Sequence, residues 1–132
     1  MNTNALAIKA AYDATACGNF APLIGLLADE VQWHITGPGP LAGDYADRRD
    51  IGRFFNKMGE IYGASFRLRV LDILDSDEHV VVLTSEEGSY RGDYAAWRSA
   101  HVFTFENGRC VRFLSFQDDP FNAFWLTRAK CA

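Results

Sequence analysis

The feature that most constrains the fold of this chain is a tight turn at residues 106–109, which reads Glu-Asn-Gly-Arg. Asn107 and Gly108 adopt positive φ at low cost, as the two-residue connection of a β-hairpin requires. The turn joins two stretches with the composition of strands, so Ala95–Asp119 is predicted to contain an antiparallel pair. One face of this pair carries a histidine, His101, among aromatic side chains. If the protein has a chemical site, we expect it on this face.

Side chains point alternately to the two faces of a strand, which divides the hairpin into two sets of residues. The set that includes the histidine consists of Trp97, Ser99, His101, Phe103, Phe105, Phe113, Ser115 and Gln117. The opposite set includes Val102, Thr104, Arg112, Leu114 and Phe116. This second set is too apolar to remain in contact with water, which predicts a homodimer formed through the outer face of the sheet.

The composition of the 132 residues limits the classes of function. With 48% hydrophobic and 14% aromatic residues, the chain can bury a core without disulfides or metals, and we expect a single domain over residues 1–132. The net charge of −4, without a cluster of Lys or Arg, argues against nucleic acid and anionic membranes as partners. No apolar run approaches the roughly 20 residues that span a bilayer, and the N-terminus is too polar for a signal peptide, so a cytoplasmic protein is expected.

Neither the cysteines nor the histidines have the spacing of a metal site or of a disulfide framework. The cysteines are Cys17, Cys110 and Cys131, an odd number without a C-x-x-C motif. The histidines, predicted on different strands without paired spacing, are His34, His79 and His101. We expect reduced thiols, with pairing of Cys131 to another chain in oxidising buffer as the alternative, and we expect neither a metal nor a cofactor.

The first part of the chain is predicted to be mostly helical. Residues 4–16 are rich in alanine and favour a helix that ends at Gly18. Its apolar stripe comprises Leu6, Ile8, Ala11, Tyr12 and Thr15. Asn19 is predicted to cap a second helix that extends to Glu30, and Val31–Ile35 has the composition of a strand.

A long loop and the best-defined helix follow. Pro and Gly interrupt the stretch Thr36–Gly43 repeatedly, which predicts irregular structure at the entrance of any cavity. From Asp47 onward, apolar residues recur every three or four positions until Gly63, which predicts a helix with one buried face.

The rest of the chain is predicted to be a meander with a terminal helix. Strands are expected over Phe66–Leu74 and Val80–Tyr90, followed by the two strands of the hairpin. Asp119 and Pro120 have the character of a helix cap and first helical residue. The order ααβαββββα predicts an α+β fold, in which a curved antiparallel sheet wraps around helices as a conical barrel with an internal cavity.

Four stretches carry a resemblance to a known family. They are AYDATACGNF, LLADEVQWHITGPG, YADRRDIGRFF and AHVFTFENGRCVRF, which together represent nearly the whole chain. In these stretches the sequence resembles the SnoaL-like or ketosteroid isomerase-like family of the nuclear transport factor two-like superfamily. The resemblance implies the same conical fold, which serves binding proteins, scaffolds and several unrelated enzymes.

The catalytic carboxylates of the known enzymes of this superfamily are absent from the matching positions. The resemblance places the general-base aspartate of ketosteroid isomerase at Ile35. The protonated aspartate of its oxyanion hole falls at His101, which can still donate a hydrogen bond. The arginine and the two aspartates of limonene epoxide hydrolase fall at Glu86, Gly88 and Ser115. Steroid isomerisation and epoxide hydrolysis by those arrangements are therefore not expected.

Strand alternation and the resemblance together predict which residues line the cavity. The candidate substrate-binding residues are Tyr12, Trp33, Trp97, Ser99, Phe113, Ser115 and Gln117. The candidate catalytic residues are His101 and Glu86. Imidazole titrates near neutral pH, and a carboxyl group in an apolar hollow has its charged form disfavoured, so the two are predicted to act as a general acid–base pair.

Such a site suits a cofactor-independent isomerase, cyclase or lyase that acts on a small apolar carbonyl compound. A non-catalytic binding module for an apolar small molecule is the alternative, and a scaffold whose cavity is filled by side chains is a third interpretation. His101 could instead be a core histidine bonded to Tyr12 or Ser115, and Glu86 could face solvent with Glu87 in its place.

Two further polar residues are expected outside the cavity. His34 alternates away from the cavity-facing Trp33, so its side chain is predicted to point outward. Asp118 is predicted to be a solvated acidic residue, with a position facing the cavity rim as the alternative.

Overall fold

The structure is a computed structural model, and it describes residues 1–37 and 40–118. Its helices are α1 (Thr3–Ala16), α2 (Ala21–Gly25) and α3 (Arg48–Tyr62), and a 3-10 turn follows at Gly63–Ser65. Its strands are β1 (Leu27–Ile35), β2 (Gly43–Tyr45), β3 (Arg67–Asp75), β4 (His79–Tyr90), β5 (Asp93–Glu106) and β6 (Arg109–Gln117). The predicted terminal helix at Asp119 and Cys131 lie outside the described residues.

The six strands form a single sheet in the order β2-β1-β6-β5-β4-β3. β1 runs parallel to β6, and every other pair of neighbours is antiparallel. The sheet is curved and unclosed, and α1 and α3 pack against its inner face. The predicted α+β class is therefore confirmed, with the described helices on the concave side of the sheet.

The hairpin predicted around residues 106–109 forms as expected. Glu106 pairs with Arg109, and the two turn residues have positive φ, 51° at Asn107 and 78° at Gly108. Phe105 pairs with Cys110, but Thr104 pairs with Arg112, so Val111 of β6 has no partner and forms a bulge. Beyond the bulge the two strands stay in step, so the inner and outer sets of side chains are those that alternation predicts.

The boundary between α2 and β1 differs from the prediction. The helix was expected to extend to Glu30, but it ends at Gly25 and the strand begins at Leu27. Glycine weakens the helix, and the backbone carbonyl of Leu26 accepts a hydrogen bond of 2.8 Å from the N–H of Cys110. Pairing with a strand about 80 residues later in the sequence thus overrides the local helical spacing.

The predicted loop is shorter than its sequence suggested. Its last residue, Gly43, begins β2, in which Tyr45 pairs with Trp33 and Asp44 pairs with His34. Asp47 caps α3 by accepting a hydrogen bond of 2.9 Å from the N–H of Asp50. This short strand therefore leads directly from the sheet edge into α3.

Helices α1 and α3 present their apolar faces to the sheet. In α1 the buried residues are Ala5, Ile8, Ala11 and Tyr12, and in α3 they are Ile51, Phe54 and Tyr62. The predicted stripe of α1 was wrong at one position, because Leu6 is exposed and Ala5 takes its place. Tyr12 lies on this buried face of α1, and its side chain therefore points toward the centre of the sheet. Among the described residues, no helix is long and apolar enough to cross a membrane.

The outer face of the sheet carries apolar side chains in rows that cross several strands. Leu74, Val81, Val102 and Leu114 are successive neighbours on β3, β4, β5 and β6. Phe116 belongs to the next row and remains 48% exposed. The predicted outer set therefore faces away from the core of this chain.

Candidate active site at the centre of the inner face

Strand pairing arranges the predicted site residues in four parallel rows on the inner face. The first row contains Trp33, Phe113 and Phe103, and the second contains Ile35, Ser115, His101 and Val82. The third contains Gln117, Ser99 and Thr84, and the fourth contains Trp97 and Glu86. The polar groups are thus concentrated in the middle of the sheet, with an indole at each end of the set.

A chain of three buried polar side chains crosses the middle of this face. The hydroxyl of Tyr12 on α1 lies 2.7 Å from Nδ1 of His101 on β5. The other ring nitrogen of His101, Nε2, lies 3.5 Å from Oε2 of Glu86 on β4. The side chains of His101 and Glu86 are only 9% and 10% exposed. Three elements that are far apart in sequence therefore meet in one hydrogen-bonding chain.

Glu86, rather than its neighbour Glu87, faces inward. Thr84 donates a hydrogen bond of 2.9 Å to the same carboxylate oxygen that faces His101. Glu87 points to the other side of the strand, where its carboxylate accepts a hydrogen bond from Tyr94. Of the two neighbouring glutamates, the one that faces the inner side of β4 is therefore Glu86, the candidate named from the sequence.

The ionisation of Glu86 differs from the expectation. Burial raises the pKa of the carboxyl group, but hydrogen bonding to His101, the positive charge of that ring in its protonated form, and the hydroxyls of Ser99 and Thr84 together lower it below its ordinary value. The prediction that the apolar hollow would disfavour the charged form was wrong, because it counted burial and omitted the donors. At neutral pH, Glu86 is a carboxylate.

The same surroundings hold Tyr12 in its neutral form. Burial and the nearby charge of Glu86 raise the pKa of the Tyr12 hydroxyl well above its ordinary value. In the neutral imidazole, a hydrogen on Nε2 faces the carboxylate favourably, whereas a lone pair there would be repelled. Nδ1 of His101 then accepts the hydrogen of the Tyr12 hydroxyl, and Nε2 donates toward Glu86.

A pocket with a cavity volume of about 80 Å³ lies against this chain of side chains. Of the nine predicted residues, the structure places all but Ser99 in its lining. Ser99 is buried beside them, close enough to lower the pKa of Glu86, although its hydroxyl makes no hydrogen bond of ordinary geometry. Apolar side chains, many of them aromatic, form most of the wall, and the polar side chains are a minority of the lining.

Helix α3, which was predicted only as a helix with one buried face, supplies part of the pocket wall. Phe54, Phe55, Met58 and Tyr62 all line the pocket. The signal was present in the helical spacing of these residues, but spacing alone does not distinguish a helix that fills a core from one that covers a pocket. Tyr62 also packs on Gly88 of β4, where an added Cβ would lie 2.6 Å from its ring.

Three buried donor groups in or beside the pocket have no partner among the described residues. They are the indole nitrogens of Trp33 and Trp97 and the hydroxyl of Ser99. Trp33 stacks on Phe113 with ring centroids 3.7 Å apart, and Trp97 packs against Tyr62. Stacking fixes the rings but leaves the N–H groups without acceptors.

The remaining polar candidates lie outside the pocket. His34 and Asp44 pair at 2.7 Å on the exposed side of β1 and β2, and Asp118 contacts Arg98. Both outward placements agree with the sequence analysis. In the part of the chain that the structure describes, no group of three or more His, Cys, Asp or Glu side chains is arranged to hold a metal ion.

Comparisons with known proteins agree with this geometry. A model of the SnoaL-like domain matches residues 8–113. The fold is similar to that of Bal32a from a soil-derived mobile gene cassette, which is 27% identical, with a TM-score of 0.84 over 92% of this chain and 95% of that chain. It is also similar to an NTF2-like protein of unknown function from Burkholderia pseudomallei, which is 26% identical, with a TM-score of 0.81 over 89% and 92% of the two chains.

The fold is also similar to that of a protein crystallised with a small molecule. TerC, co-crystallised with polyporic acid, is 22% identical, with a TM-score of 0.78 over 89% of this chain and 92% of that chain. At this identity the likeness concerns the fold alone. Among curated proteins, no sequence matches this chain.

Proposed function

The chain belongs to the SnoaL-like domain family, and we propose that it is a cofactor-independent acid–base enzyme that acts on a small carbonyl compound in the inner pocket. The family contains both enzymes and binding proteins, so the choice depends on the residues of this chain. The observation that carries the proposal is the buried Tyr12–His101–Glu86 chain beside an apolar pocket.

Glu86 is the proposed base. Its carboxylate is ionised, buried and part of the pocket lining, so it can accept a proton from a carbon next to a carbonyl group. A carboxylate with a lowered pKa is a weak base, but much of that lowering comes from His101. A ligand oxygen that attracts the Nε2 hydrogen of His101 would release Glu86 from this donor and raise its basicity.

His101 is the proposed donor to the substrate oxygen. Its Nε2 lies 3.5 Å from Glu86, at the limit of a hydrogen bond, so the ring can share this hydrogen with a ligand oxygen that lies beside the carboxylate. Tyr12 holds the ring by donating to Nδ1 at 2.7 Å, which keeps the hydrogen on Nε2. Tyr12 is therefore a positioning residue in this scheme, and His101 and Glu86 are the catalytic residues.

The proposed step is the removal of a proton from the α-carbon. The C–H bond breaks, its hydrogen passes to the Glu86 carboxylate, and the electron pair forms the double bond of an enolate whose oxygen accepts the hydrogen bond of His101. If the hydrogen on the Glu86 carboxyl is first replaced by one from solvent, its return to the same carbon gives exchange, and return to another carbon gives isomerisation. Cyclase and lyase reactions begin with the same step.

The test is hydrogen–deuterium exchange of the methyl group of acetophenone in D₂O, followed by NMR near neutral pH. We expect the protein to accelerate the exchange, and Glu86→Gln to reduce the acceleration by about 10²- to 10⁴-fold, since general-base contributions have this size. Glu87→Gln is the matched control, because its side chain faces the other side of the same strand, and it should retain the wild-type rate. Equal exchange rates in the two variants would refute the role of Glu86.

A non-catalytic binding module is the second candidate, and one observation favours it. Both ring nitrogens of His101 already face protein groups, so each is engaged within the protein before any ligand enters. In this case acetophenone would bind, as seen by quenching of tryptophan fluorescence, without any exchange above the rate in buffer.

We also propose that two copies associate through the outer face. The row Leu74–Val81–Val102–Leu114 would be covered, together with Phe116. The patch can pair with itself across a twofold axis, so that the same apolar row is covered in both copies.

The oligomeric state tests this interface directly. Light scattering after size exclusion should give the mass of a dimer, and Phe116→Asp should give a monomer. Leu6→Asp, at an exposed leucine of α1, is the control and should leave the dimer intact. A monomeric wild-type protein would contradict the proposed interface.

A further inference from the structure

We propose that Thr84 is a positioning residue for the base: its hydroxyl holds one carboxylate oxygen of Glu86, so that the other oxygen, Oε1, is the atom that takes the proton from the substrate. This inference rests on the proposed acid–base function and gives each oxygen of the carboxylate a separate task. It is carried by the hydrogen bonds that connect the inner faces of β4 and β5.

A threonine interrupts an apolar series on the inner face of β4. The inward-facing residues follow one another at intervals of two, and they include Val80, Val82, Thr84 and Glu86. The first three of them are all 0% exposed. Valine has nearly the shape of threonine and suits a buried strand, whereas a buried hydroxyl needs a partner to offset its loss of water. Packing alone therefore does not account for a hydroxyl at position 84.

The hydroxyl of Thr84 is directed to Glu86 and not to the pocket. It donates a hydrogen bond of 2.9 Å to Oε2 of the carboxylate, two residues further along the same strand. The described lining of the pocket includes Glu86 but not Thr84. Thr84 can therefore act on a reaction in the pocket only through Glu86, which makes it a positioning residue rather than a catalytic one.

The two donors nearest to Glu86 meet the same carboxylate oxygen. Nε2 of His101 lies 3.5 Å from Oε2, the oxygen that also accepts the hydroxyl of Thr84. Within the described residues, no hydrogen bond of ordinary geometry reaches Oε1, and Oε1 is not one of the closed-off polar atoms without a partner. Ser99 lowers the pKa of Glu86, but its hydroxyl makes no hydrogen bond of ordinary geometry. Oε1 is therefore the oxygen that remains available to a substrate.

Titratable side chains surround the carboxylate of Glu86 from three elements: Tyr12 on α1, Tyr62 on α3 and His101 on β5. Burial, and then the charge of Glu86, raise the pKa of both tyrosines, that of Tyr62 to about 12. Both tyrosines are thus neutral when Glu86 takes up a proton at acidic pH. Because His101 is the same in every variant of Thr84, a difference between these variants reports the effect of the hydroxyl.

The test compares Thr84→Val, which removes the hydroxyl and keeps the shape, with Thr84→Ser, which keeps a hydroxyl. Thr104→Val is the matched control, because Thr104 lies on the outer face of β5. ¹³C NMR follows the carboxyl groups in protein labelled at the glutamate Cδ, and Glu86→Gln identifies the signal of Glu86. Its titration midpoint should lie at higher pH in Thr84→Val than in the wild type, because a donor to the ionised form is lost. Thr84→Ser and Thr104→Val should match the wild type.

The exchange of acetophenone methyl protons gives the second readout. Near neutral pH, Thr84→Val should lower the rate about threefold to tenfold, since one hydrogen bond that orients the carboxylate is lost. Thr84→Ser should stay close to the wild-type rate. In the wild-type protein alone, the methyl signal of Thr84 should shift with the same midpoint as the carboxyl of Glu86. This last measurement keeps the test valid if Thr84→Val does not fold.

Several results would overturn the inference. Equal carboxyl midpoints in the wild type and Thr84→Val would do so, as would a Thr84 methyl signal that does not follow the titration of Glu86. Exchange that is as fast in Thr84→Val as in the wild type would refute the positioning role and leave Glu86 as the base. No exchange by the wild-type protein would refute the acid–base function, and with it the role of Oε1, even where the midpoints differ.

Discussion

Two histidine–carboxylate pairs are present in the described part of the chain, and their comparison shows why distance alone does not define a site. His34 and Asp44 are 2.7 Å apart, with side chains that are 41% and 88% exposed. His101 and Glu86 are 3.5 Å apart, but they are nearly buried and lie beside a pocket. Water and salt weaken the closer pair, whereas the environment of the more distant pair shifts the pKa of Glu86. The buried pair is therefore the one suited to chemistry.

The largest expected difference between the two pairs is in the free energy of unfolding that is lost when the histidine of each pair is replaced. His101→Ala removes a buried partner of both Tyr12 and Glu86, and should lower the free energy of unfolding by about 3 kcal/mol or more. His34→Ala removes an exposed pair and should change it by less than about 1 kcal/mol. Urea denaturation of the two variants measures the difference. Similar losses in both would mean that burial does not distinguish the pairs.

Two glycines extend the comparison to packing. Gly88→Ala places a Cβ 2.6 Å from the ring of Tyr62, and should cost about 1–3 kcal/mol and disturb the pocket wall. Gly59→Ala, in α3, adds a methyl group in open space and should stabilise the protein by up to about 1 kcal/mol. Thermal unfolding gives both values. A Gly88→Ala protein as stable as Gly59→Ala would show that Tyr62 can move aside at no cost.

The sequence was sufficient for those parts of the fold that local patterns determine. The turn at Asn107 and Gly108 and the helix capped by Asp47 formed as predicted, because positive φ, capping and apolar spacing act within a few residues. Alternation on β5 and β6 also identified the inner faces of His101 and Ser115. These predictions needed no knowledge of distant contacts.

The parts that could not be predicted depend on distant contacts. The start of β1 at Leu27 follows from parallel pairing with Cys110, which no local pattern encodes. The direction of the pKa shift of Glu86 depends on donors from Thr84 and His101, whose geometry exists only in the folded protein. The unpartnered indole of Trp97 likewise becomes visible only when its neighbours are known.

The pH dependence of methyl exchange tests the central claim, that Glu86 is the base, most directly. The claim predicts that the exchange rate per molar protein, with acetophenone below saturation, falls at acidic pH as the Glu86 carboxylate takes up a proton. Because the structure lowers the pKa of Glu86, the midpoint of this fall should lie below the ordinary glutamate value of 4.5, with circular dichroism showing that the fold persists. A midpoint above 4.5, or the same acid limb in Glu86→Gln, would contradict the claim.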